Sequence, residues 1–176
     1  MFEVFDNFLD DGLQADCYDF FMNSNGWSYT GFTNSNLEGL SKSTDRFWEF
    51  SLENHSFFTD IFFKHIQKLT NKQFILHRVY ANGQTHGQCG SVHIDNDQPD
   101  RYTFLYYMNP EWRPEWGGAT ILLQDGYGQQ MSPFFPNRGI LFKSNIPHVG
   151  LDPSSHFKGL RITVAFKLEL IVNSNN

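Results

Sequence analysis

Two histidines and one aspartate have the side-chain types of a metal-binding set. In the segment SVHIDND, His93 and Asp95 are separated by one residue, and His148 follows much later in NIPHVG. Side chains two residues apart in a strand leave on the same face, about 6.5 to 7 Å apart along the chain, so His93 and Asp95 can converge on one ion. His148 lies in a strand-like context and supplies a third ligand. This set favours Fe(II) of the kind found in oxygenases, because three coordination positions remain open.

Arg161 is the next residue that could take part in chemistry. It lies thirteen residues after His148, at the start of the apolar segment LRITVAFKLEL. A buried charge is costly unless it has a partner, and arginine binds carboxylates through two parallel hydrogen bonds. A dicarboxylic acid that chelates the metal through its keto end would place its far carboxylate within reach of Arg161. The four residues together predict a site for 2-oxoglutarate.

These motifs, in this order, resemble the Fe(II)/2-oxoglutarate-dependent oxygenases, and within them the prolyl 4-hydroxylase-like branch. The resemblance covers residues 74–170. It includes the hydrophobic segment RYTFLYYMNPEW after the first ligand pair and the Gly-Gly turn in WGGAT. It implies a domain that uses Fe(II), 2-oxoglutarate and O2 to hydroxylate a C–H bond, with ascorbate as a candidate further cofactor. Several motifs in the same order are more specific than any one of them.

The resemblance also implies a role for each site residue. The implied iron ligands, which also carry the catalysis, are His93, Asp95 and His148. Arg161 would bind the distal carboxylate of 2-oxoglutarate, and Tyr107 would donate its hydroxyl to the same group. Tyr80 would face the cosubstrate, although the loop from Tyr80 to His93 is longer than in the branch. Many prolyl hydroxylases have lysine where this chain has Arg161.

Several residues are alternatives to these assignments. His156 competes with His148, but it follows Pro-Ser-Ser in a segment typical of a loop. Asp97 and Asp100 lie near His93, but only Asp95, two residues away, is the next side chain on the same face of a strand. The lysines that could replace Arg161 are Lys143, Lys158 and Lys167. The histidines better explained as surface or core residues are His55, His65, His77 and His86.

The elements that must position these residues are two helices and a series of strands. Apolar spacing predicts a helix over Asp10 to Asn23 and another over Ser51 to Asn71, packed on the outer face of a sheet. From about residue 73 the chain changes to short β-branched and aromatic runs, typical of seven or eight strands. These runs are FILHRVY, YTFLYYM, ATILL, GILF and LRITVAFKLEL.

The fold class predicted from this order is mainly β with N-terminal helices, arranged as a double-stranded β-helix, or jelly roll. We expect one domain over residues 1–176, with a helical support over about 1–71 and a jelly-roll core over about 72–170. Three loops are expected to border the entrance to its cavity. They are Gly26 to Lys42, Gln84 to Gly90 and Asn109 to Trp116.

Composition and charge restrict the class of partner and the compartment. The chain has 176 residues and a formal charge of -6. Phosphate binding depends on Lys and Arg, so a nucleic-acid partner is disfavoured. There are only two cysteines, no secretory signal pattern at the N-terminus and no apolar run near the roughly 20 residues of a membrane helix. A soluble, cytoplasmic protein without a membrane partner is therefore expected.

The function predicted from the sequence is hydroxylation of a C–H bond, with a prolyl residue of a peptide or protein as the substrate. Two alternatives within the same superfamily are hydroxylation of a small molecule such as a free amino acid and demethylation of nucleic acid. A cupin-like metal-binding module without 2-oxoglutarate turnover is an alternative outside it, although it would need neither Arg161 nor Tyr107. A catalytically inactive binding domain is disfavoured because no ligand of the set is missing.

Overall fold

The structure is a computed structural model that describes residues 2–33, 37, 46–123 and 129–172. The helical elements are α1 (Asp11–Asn23), a π-helical segment (Phe57–Phe62) that continues as α2 (Phe63–Thr70), and a 3-10 turn (Pro114–Trp116). The strands are β1 (Glu3–Phe5), β2 (Ser28–Gly31), β3 (Phe47–Ser51), β4 (Phe74–Gln84), β5 (Arg101–Tyr107), β6 (Thr120–Leu123), β7 (Gln129–Ser132), β8 (Gly139–Lys143), β9 (His148–Gly150) and β10 (Arg161–Leu170).

Two antiparallel sheets make up the described strands. The larger has seven strands in the order β1-β8-β5-β10-β4-β3-β2, and the smaller has three in the order β7-β6-β9. Residues of both sheets line a cavity of about 230 Å³ between them. This is the architecture of a jelly roll, and the predicted fold class is confirmed. Among the described residues, no helix is long and apolar enough to cross a membrane.

Helix α1 confirms the predicted helix over Asp10 to Asn23, with a small difference at its start. Asp10 is extended and its carboxylate accepts a hydrogen bond from the backbone N–H of Leu13 at 2.9 Å. It is therefore the N-cap residue, and the helix begins at Asp11. The buried residues Cys17 and Phe21 face the core, as the apolar spacing predicts.

The predicted helix over Ser51 to Asn71 was wrong at its N-terminal end. Ser51 ends β3, where it pairs with Tyr80 of β4, and helical structure begins only at Phe57. The apolar stripe of Phe58, Phe62 and Ile66 also starts there. Residues 47–51 are extended because they pair with β2 and β4. The first 51 residues thus contribute three strands to the large sheet, in addition to the helical layer on its outer face.

The later strands that the apolar runs predicted lie close to their predicted positions, except that β4 is longer. Strand β7, in the polar segment QQMS, was not among those runs. The apolar run FILHRVY predicted a strand that ends at Tyr80, but β4 continues to Gln84 and pairs with β10 as far as Gln84 opposite Arg161. The residues from Ala81 to Gln84 are in a strand although they lack an apolar pattern, because this part of β4 pairs with β3 on one side and β10 on the other. Strand β2 falls within the predicted loop Gly26 to Lys42, whose residues 34–36 and 38–42 lie outside the described part of the chain.

An aromatic core joins the helical layer to the large sheet. The ring of Phe62 has its centroid 5.0 Å from that of Phe8, 4.9 Å from that of Phe166 and 5.2 Å from that of Tyr106. All four side chains are at most 2 % exposed. This packing places β10 and β5 against a rigid support on one face, while their other face borders the cavity.

The N-terminal segment is fastened to the edge of the large sheet. Strand β1 pairs with β8, and Asn137, in a left-handed conformation with φ of 60°, precedes β8. The Asn137 side chain donates to the carbonyl of Leu9 at 2.7 Å and accepts from the backbone N–H of Leu9 at 2.7 Å. Its oxygen also accepts a hydrogen bond from the hydroxyl of Tyr106 at 2.9 Å. One amide therefore holds three segments together.

We expect Phe62→Ala to lower the free energy of unfolding by about 3 to 5 kcal/mol, because it leaves a cavity among buried rings. The matched control is Ile61→Ala, one residue earlier, where the side chain is 58 % exposed and the loss should stay within about 0.5 kcal/mol. Chemical denaturation of the two variants and the wild type measures both values. Equal losses in the two variants would contradict this core.

Candidate active site

The two histidines and the aspartate of the sequence motif converge on one point. The backbones of His93 and His148 pair with each other, at 3.0 and 2.9 Å, and the N–H of Asp95 donates to the carbonyl of Ser144 at 2.9 Å. One ligand atom from each of the three side chains lies within 4.8 Å of the others. The predicted strand over His93 and Asp95 is only an isolated bridge between His93 and His148, and the chain bends at Asp95. The backbone contacts with His148 and Ser144 therefore bring the two side chains together.

The backbone fixes which nitrogen each histidine presents to this centre. Nδ1 of His93 lies 2.9 Å from the carbonyl oxygen of Ser91, and Nδ1 of His148 lies 2.9 Å from that of Ile146. A carbonyl oxygen can only accept, so in the neutral ring Nδ1 carries the proton and Nε2 offers its lone pair. Both Nε2 atoms lie 3.4 Å from a carboxylate oxygen of Asp95. The three ligand atoms thus face one another.

The protonation states also suit a metal ion. Burial lowers the pKa of His148 to about 4, against the opposing charge of Asp95. Burial raises the pKa of Asp95, but the charge of Lys167, together with the contacts to the two histidines, outweighs it and holds this pKa well below its usual range. At neutral pH His148 is therefore neutral and Asp95 is ionised, which are the forms that bind metals.

Lys167 is a charged neighbour of this centre that the sequence interpretation considered only as a replacement for Arg161. Its ammonium nitrogen contacts Oδ2 of Asp95 and lies 5.7 Å from the centre of the Tyr80 ring. Burial lowers the pKa of Lys167, but the charge of Asp95 outweighs it and the net pKa is raised. Lys167 and Arg161 are six residues apart on one strand, and this even spacing, visible in the sequence, puts both on the cavity face.

Arg161 lies at the other end of the cavity-facing side of β10 and is 1 % exposed. Its Nε donates to the carbonyl of Gly118 at 2.9 Å, and its Nη1 donates to Oε1 of Gln84 at 2.7 Å. Its Nη2 is buried without a hydrogen-bond partner among the described residues. Burial lowers the pKa of Arg161 to about 10, so the group is charged at neutral pH. An incompletely paired cation on a cavity wall is suited to an anionic ligand.

Two residues that hold Arg161 in place were missed by the sequence analysis. Gln84 accepts from Arg161 and donates to the carbonyl of Gln88 at 2.8 Å. Asn109 accepts from the N–H of Ile162 at 2.8 Å and donates to the carbonyl of Leu160 at 2.9 Å. Asn109 therefore fixes both neighbours of Arg161. Their roles depend on pairing between distant segments, which local sequence patterns do not encode.

The two candidate tyrosines lie in different surroundings. Tyr107 is fully buried beneath Arg161, whose guanidinium carbon is 6.0 Å from the ring centre, and its hydroxyl donates to the carbonyl of Ser132 at 3.2 Å. Tyr80 lines the cavity and lies near Lys167, with the Arg78 guanidinium 4.3 Å from its ring centre. The structure thus brings Tyr107 next to Arg161, and Tyr80 next to the metal-ligand cluster.

The cavity lining includes His93, Asp95, His148, Arg161 and Tyr80, but not Tyr107. Of the alternatives, only Lys167 lines the cavity. Phe32, Thr33, Gln84 and Gly90, from two of the predicted entrance loops, line it, whereas no residue of Asn109 to Trp116 does so. Trp112 instead stacks on Phe134 with ring centroids 4.0 Å apart. The alternatives that do not line the cavity are His156, Asp97, Asp100, Lys143 and Lys158, together with His55, His65, His77 and His86.

The chain matches one family model, and several solved structures have a similar fold. The family model described as 2OG-Fe(II) oxygenase superfamily matches residues 75–166. No curated protein has significant sequence similarity to the chain. Among solved structures, a prolyl hydroxylase from Trichoplax adhaerens in complex with a hypoxia inducible factor oxygen degradation domain peptide fragment has a TM-score of 0.71 at 19 % identity, covering 96 % of this chain and 83 % of that chain.

Two further solved structures are similar over the same share of this chain, 96 %. A prolyl-4-hydroxylase from Pseudomonas putida has a TM-score of 0.61 at 13 % identity, with 92 % of that chain covered. HygX from Streptomyces hygroscopicus, solved with nickel and 2-oxoglutarate bound, has a TM-score of 0.66 at 10 % identity, with 82 % of that chain covered. At these identities the likeness shows a shared fold.

The lowered pKa of His148 predicts a pH-dependent stability for the metal-free protein. The folded value of about 4 lies below the ordinary value of about 6.5, so between these limits the unfolded chain binds a proton that the folded chain does not. The contribution of His148 to the free energy of unfolding should therefore be fully present above about pH 6.5. The free energy of unfolding should fall by about 1 to 3 kcal/mol as the pH approaches 4. Urea unfolding at pH 7, 6 and 5 should show a weaker dependence in His148→Gln. Identical pH profiles would contradict this assignment.

Proposed function

Because the chain belongs to the 2OG-Fe(II) oxygenase superfamily, we propose that it is a dioxygenase dependent on Fe(II) and 2-oxoglutarate, with a prolyl residue of a peptide or protein as its substrate. The observation that carries the proposal is the arrangement of the cavity walls. A His-Asp-His cluster and the incompletely paired guanidinium of Arg161 line the same cavity. Together they can bind a metal ion and the far carboxylate of its chelating acid.

The proposed iron ligands are His93, Asp95 and His148. Two neutral imidazoles and one ionised carboxylate form the set that suits Fe(II) in oxygenases. Each ring is held through Nδ1 by a backbone carbonyl, so the orientation of Nε2 does not depend on the metal. When bound, Fe(II) with 2-oxoglutarate and O2 supplies the oxidising chemistry that converts a C–H bond to C–OH.

Arg161 is proposed to bind the distal carboxylate of 2-oxoglutarate. Gly118 and Gln84 occupy two of its donors and fix the plane of the guanidinium, while Nη2 remains available. A Cβ on Gly118 would lie 2.9 Å from Nε of Arg161, so the absence of a side chain there lets the guanidinium approach the loop. Tyr107, directly beneath Arg161, is proposed as a second donor, which requires its hydroxyl to turn away from Ser132.

The protein's own contribution to the reaction is binding, orientation and exclusion of water. Leu105, Phe142 and Ala165 form apolar parts of the cavity wall, and such walls limit the access of water to a reactive centre. Tyr80 is proposed to lie on the cosubstrate side of the metal-ligand cluster. Its ring is already constrained by Arg78 on one side and Lys167 on another.

The proposed peptide substrate is supported by the solved prolyl hydroxylases with the same fold and by the cavity. The Asn82 side chain lines the cavity, and its Oδ1 is buried with no hydrogen-bond partner among the described residues. An oxygen acceptor in this position can receive a hydrogen bond from a peptide N–H. The net charge of -6 disfavours a nucleic-acid substrate.

The experiment that tests the function is a screen for substrate-stimulated succinate production. Protein loaded anaerobically with Fe(II) is given 2-oxoglutarate and O2 with proline-containing peptides, their alanine-substituted counterparts, or free amino acids. We expect stimulation by peptides that contain proline and not by the alanine counterparts. Stimulation by free amino acids alone would replace the peptide substrate with a small molecule. Metal binding without any 2-oxoglutarate turnover would favour a cupin-like module.

Metal binding should depend on the proposed ligands. The purified protein should bind one Fe(II), or Mn(II), Co(II) or Ni(II) in its place, and His148→Ala should abolish turnover while the folded state remains, because the sheets form without the ion. The matched control is His156→Ala, which removes an exposed histidine outside the cavity. Metal titration and circular dichroism separate loss of the site from loss of fold. Full activity in His148→Ala with an inactive His156→Ala would reverse the assignment.

Loss of Arg161 should weaken 2-oxoglutarate binding without preventing metal binding. Removing one partner of a charge-assisted pair in a closed site costs about 3 to 5 kcal/mol, which corresponds to about two to four decades in affinity. Arg161→Lys should recover only part of this loss, because the planar fork is absent. Tyr107→Phe should cost about 0.5 to 1.5 kcal/mol. Calorimetric titration of 2-oxoglutarate into the Mn(II)-loaded proteins measures these values, and unchanged affinity in Arg161→Ala would remove Arg161 from the site.

A further inference from the structure

Lys167 places a second cation on the cavity face of β10, beside the metal-ligand cluster and away from Arg161. We propose that Lys167 is a positioning residue: together with Thr103 it holds Oδ2 of Asp95, so that this carboxylate offers mainly its other oxygen, Oδ1, to the metal ion. This inference rests on the proposed function, since it assigns a task to residues around the same site. It concerns this chain's own side chains and not the identity of the substrate.

The two oxygens of the Asp95 carboxylate have unequal surroundings. Oδ2 is contacted by the ammonium of Lys167 and accepts a hydrogen bond of 2.5 Å from the Thr103 hydroxyl. Each oxygen also lies 3.4 Å from one imidazole nitrogen, Oδ1 from Nε2 of His93 and Oδ2 from Nε2 of His148. The two oxygens therefore differ in the lysine and hydroxyl contacts, which only Oδ2 has among the described residues. The carboxylate side chain is only 7 % exposed, so water does little to equalise the two oxygens, and the lone pairs of Oδ1 are the less engaged ones.

Thr103 is itself held in position. Its hydroxyl lies 3.1 Å from that of Ser144, and the carbonyl of Ser144 accepts the backbone N–H of Asp95 at 2.9 Å. The same serine thus connects the backbone and the side-chain partner of Asp95. Because Thr103 lies on β5 and Lys167 on the adjacent β10, directly opposite it, the register of the central strands places both donors on one carboxylate oxygen.

Electrostatics favours one orientation of the carboxylate toward a metal. A divalent ion is repelled by an ammonium a few ångströms away and attracted by the carboxylate. An ion bound through Oδ1 would be farther from the ammonium than one bound through Oδ2, which contacts Lys167. Binding through both oxygens would require Oδ2 to share its lone pairs between the ion and its two donors, Lys167 and Thr103. When Oδ1 alone binds, the second coordination position remains open for cosubstrate or O2.

Two other roles for Lys167 fit the contacts less well. It could bind the distal carboxylate of 2-oxoglutarate in place of Arg161, but its ammonium is already paired with Asp95, whereas Nη2 of Arg161 has no partner among the described residues. It could also be a structural ion pair with no influence on the metal. That role would affect the stability of the fold and leave the coordination of a bound ion unchanged.

The test compares Lys167→Met, Lys167→Arg and Thr103→Val with the wild type, using the visible absorption of bound Co(II) and the affinity for Mn(II) and 2-oxoglutarate. Co(II) absorption reports coordination number and geometry and requires no turnover. The Thr103→Val variant separates the effect of contacts to Oδ2 from the effect of the lysine charge, because it removes a hydrogen bond to Oδ2 without changing any charge. The control is Lys158→Met, which removes an exposed lysine outside the cavity.

In Lys167→Met we expect Mn(II) to bind at least as tightly as in the wild type, because a repelling cation is lost. The Co(II) spectrum should shift, and the 2-oxoglutarate dissociation constant should rise, because a second carboxylate oxygen would compete with the cosubstrate for the ion. We expect this rise to be about 10- to 100-fold, the range by which metal affinity or activity falls when a partner of a metal ligand is lost. Thr103→Val should shift the spectrum in the same direction but by less. Lys167→Arg should restore the wild-type spectrum, and Lys158→Met should match the wild type throughout.

Each contrary result has a distinct meaning. A wild-type Co(II) spectrum in Lys167→Met, with 2-oxoglutarate bound normally, would overturn the positioning role and leave the proposed function standing. A wild type that binds Co(II) but not 2-oxoglutarate would overturn the proposed function, while the spectra would still decide the role of Lys167. Loss of Mn(II) binding in Lys167→Met, with the fold intact by circular dichroism, would also overturn the positioning role, because it would make the ammonium a requirement for the ion.

Discussion

The alternation of side chains along β10 is the constraint on which the rest of the structure depends. This strand lies in the middle of the large sheet, paired with β4 on one side and β5 on the other. Its even-numbered residues Ile162 to Leu168 enter the aromatic core, and its odd-numbered residues Arg161 to Lys167 face the cavity. A slip of one residue would exchange the two sets. The pairing register of this ten-residue strand therefore determines both which side chains enter the core and where the two cations of the site lie.

The helical layer and the cavity depend on this strand from opposite sides. Phe166 packs on Phe62 in the helical layer, and the neighbouring residue Lys167 contacts Asp95 across the cavity. Rigidity on the apolar face is transmitted to the polar face through the strand itself. The many buried aromatic rings therefore contribute to the precision of the site, although none of them is proposed to touch a metal ion.

Local patterns predicted much of the fold and pointed to the three side chains of the His-Asp-His cluster, but they missed what depends on distant pairing. His93, Asp95 and Arg161 were recognisable from residue type, spacing and order, and α1 from its apolar face and N-cap. Strands β1 to β3 were missed because they are short and depend on pairing with distant segments: β1 pairs with β8, β3 with β4, and β2 with β3. Gln84 and Asn109 carry no local signal for their contacts with the segment around Arg161. The even spacing of Lys167 from Arg161 was visible, but its partner, Asp95, lies 72 residues earlier in the chain.

The hydrogen bonds between Asn137 and the backbone of Leu9 hold the N-terminal segment in place, and this has a consequence for self-association. Strand β1 has only three residues, and it covers the hydrogen-bonding edge of β8, whose residues are almost all apolar and buried. An uncovered edge of this kind can pair with the same edge of another molecule and start aggregation. The hydrogen bonds between Asn137 and Leu9 keep β1 in place at that edge. Residues 2–9 therefore cover a strand edge at which a second molecule could otherwise pair.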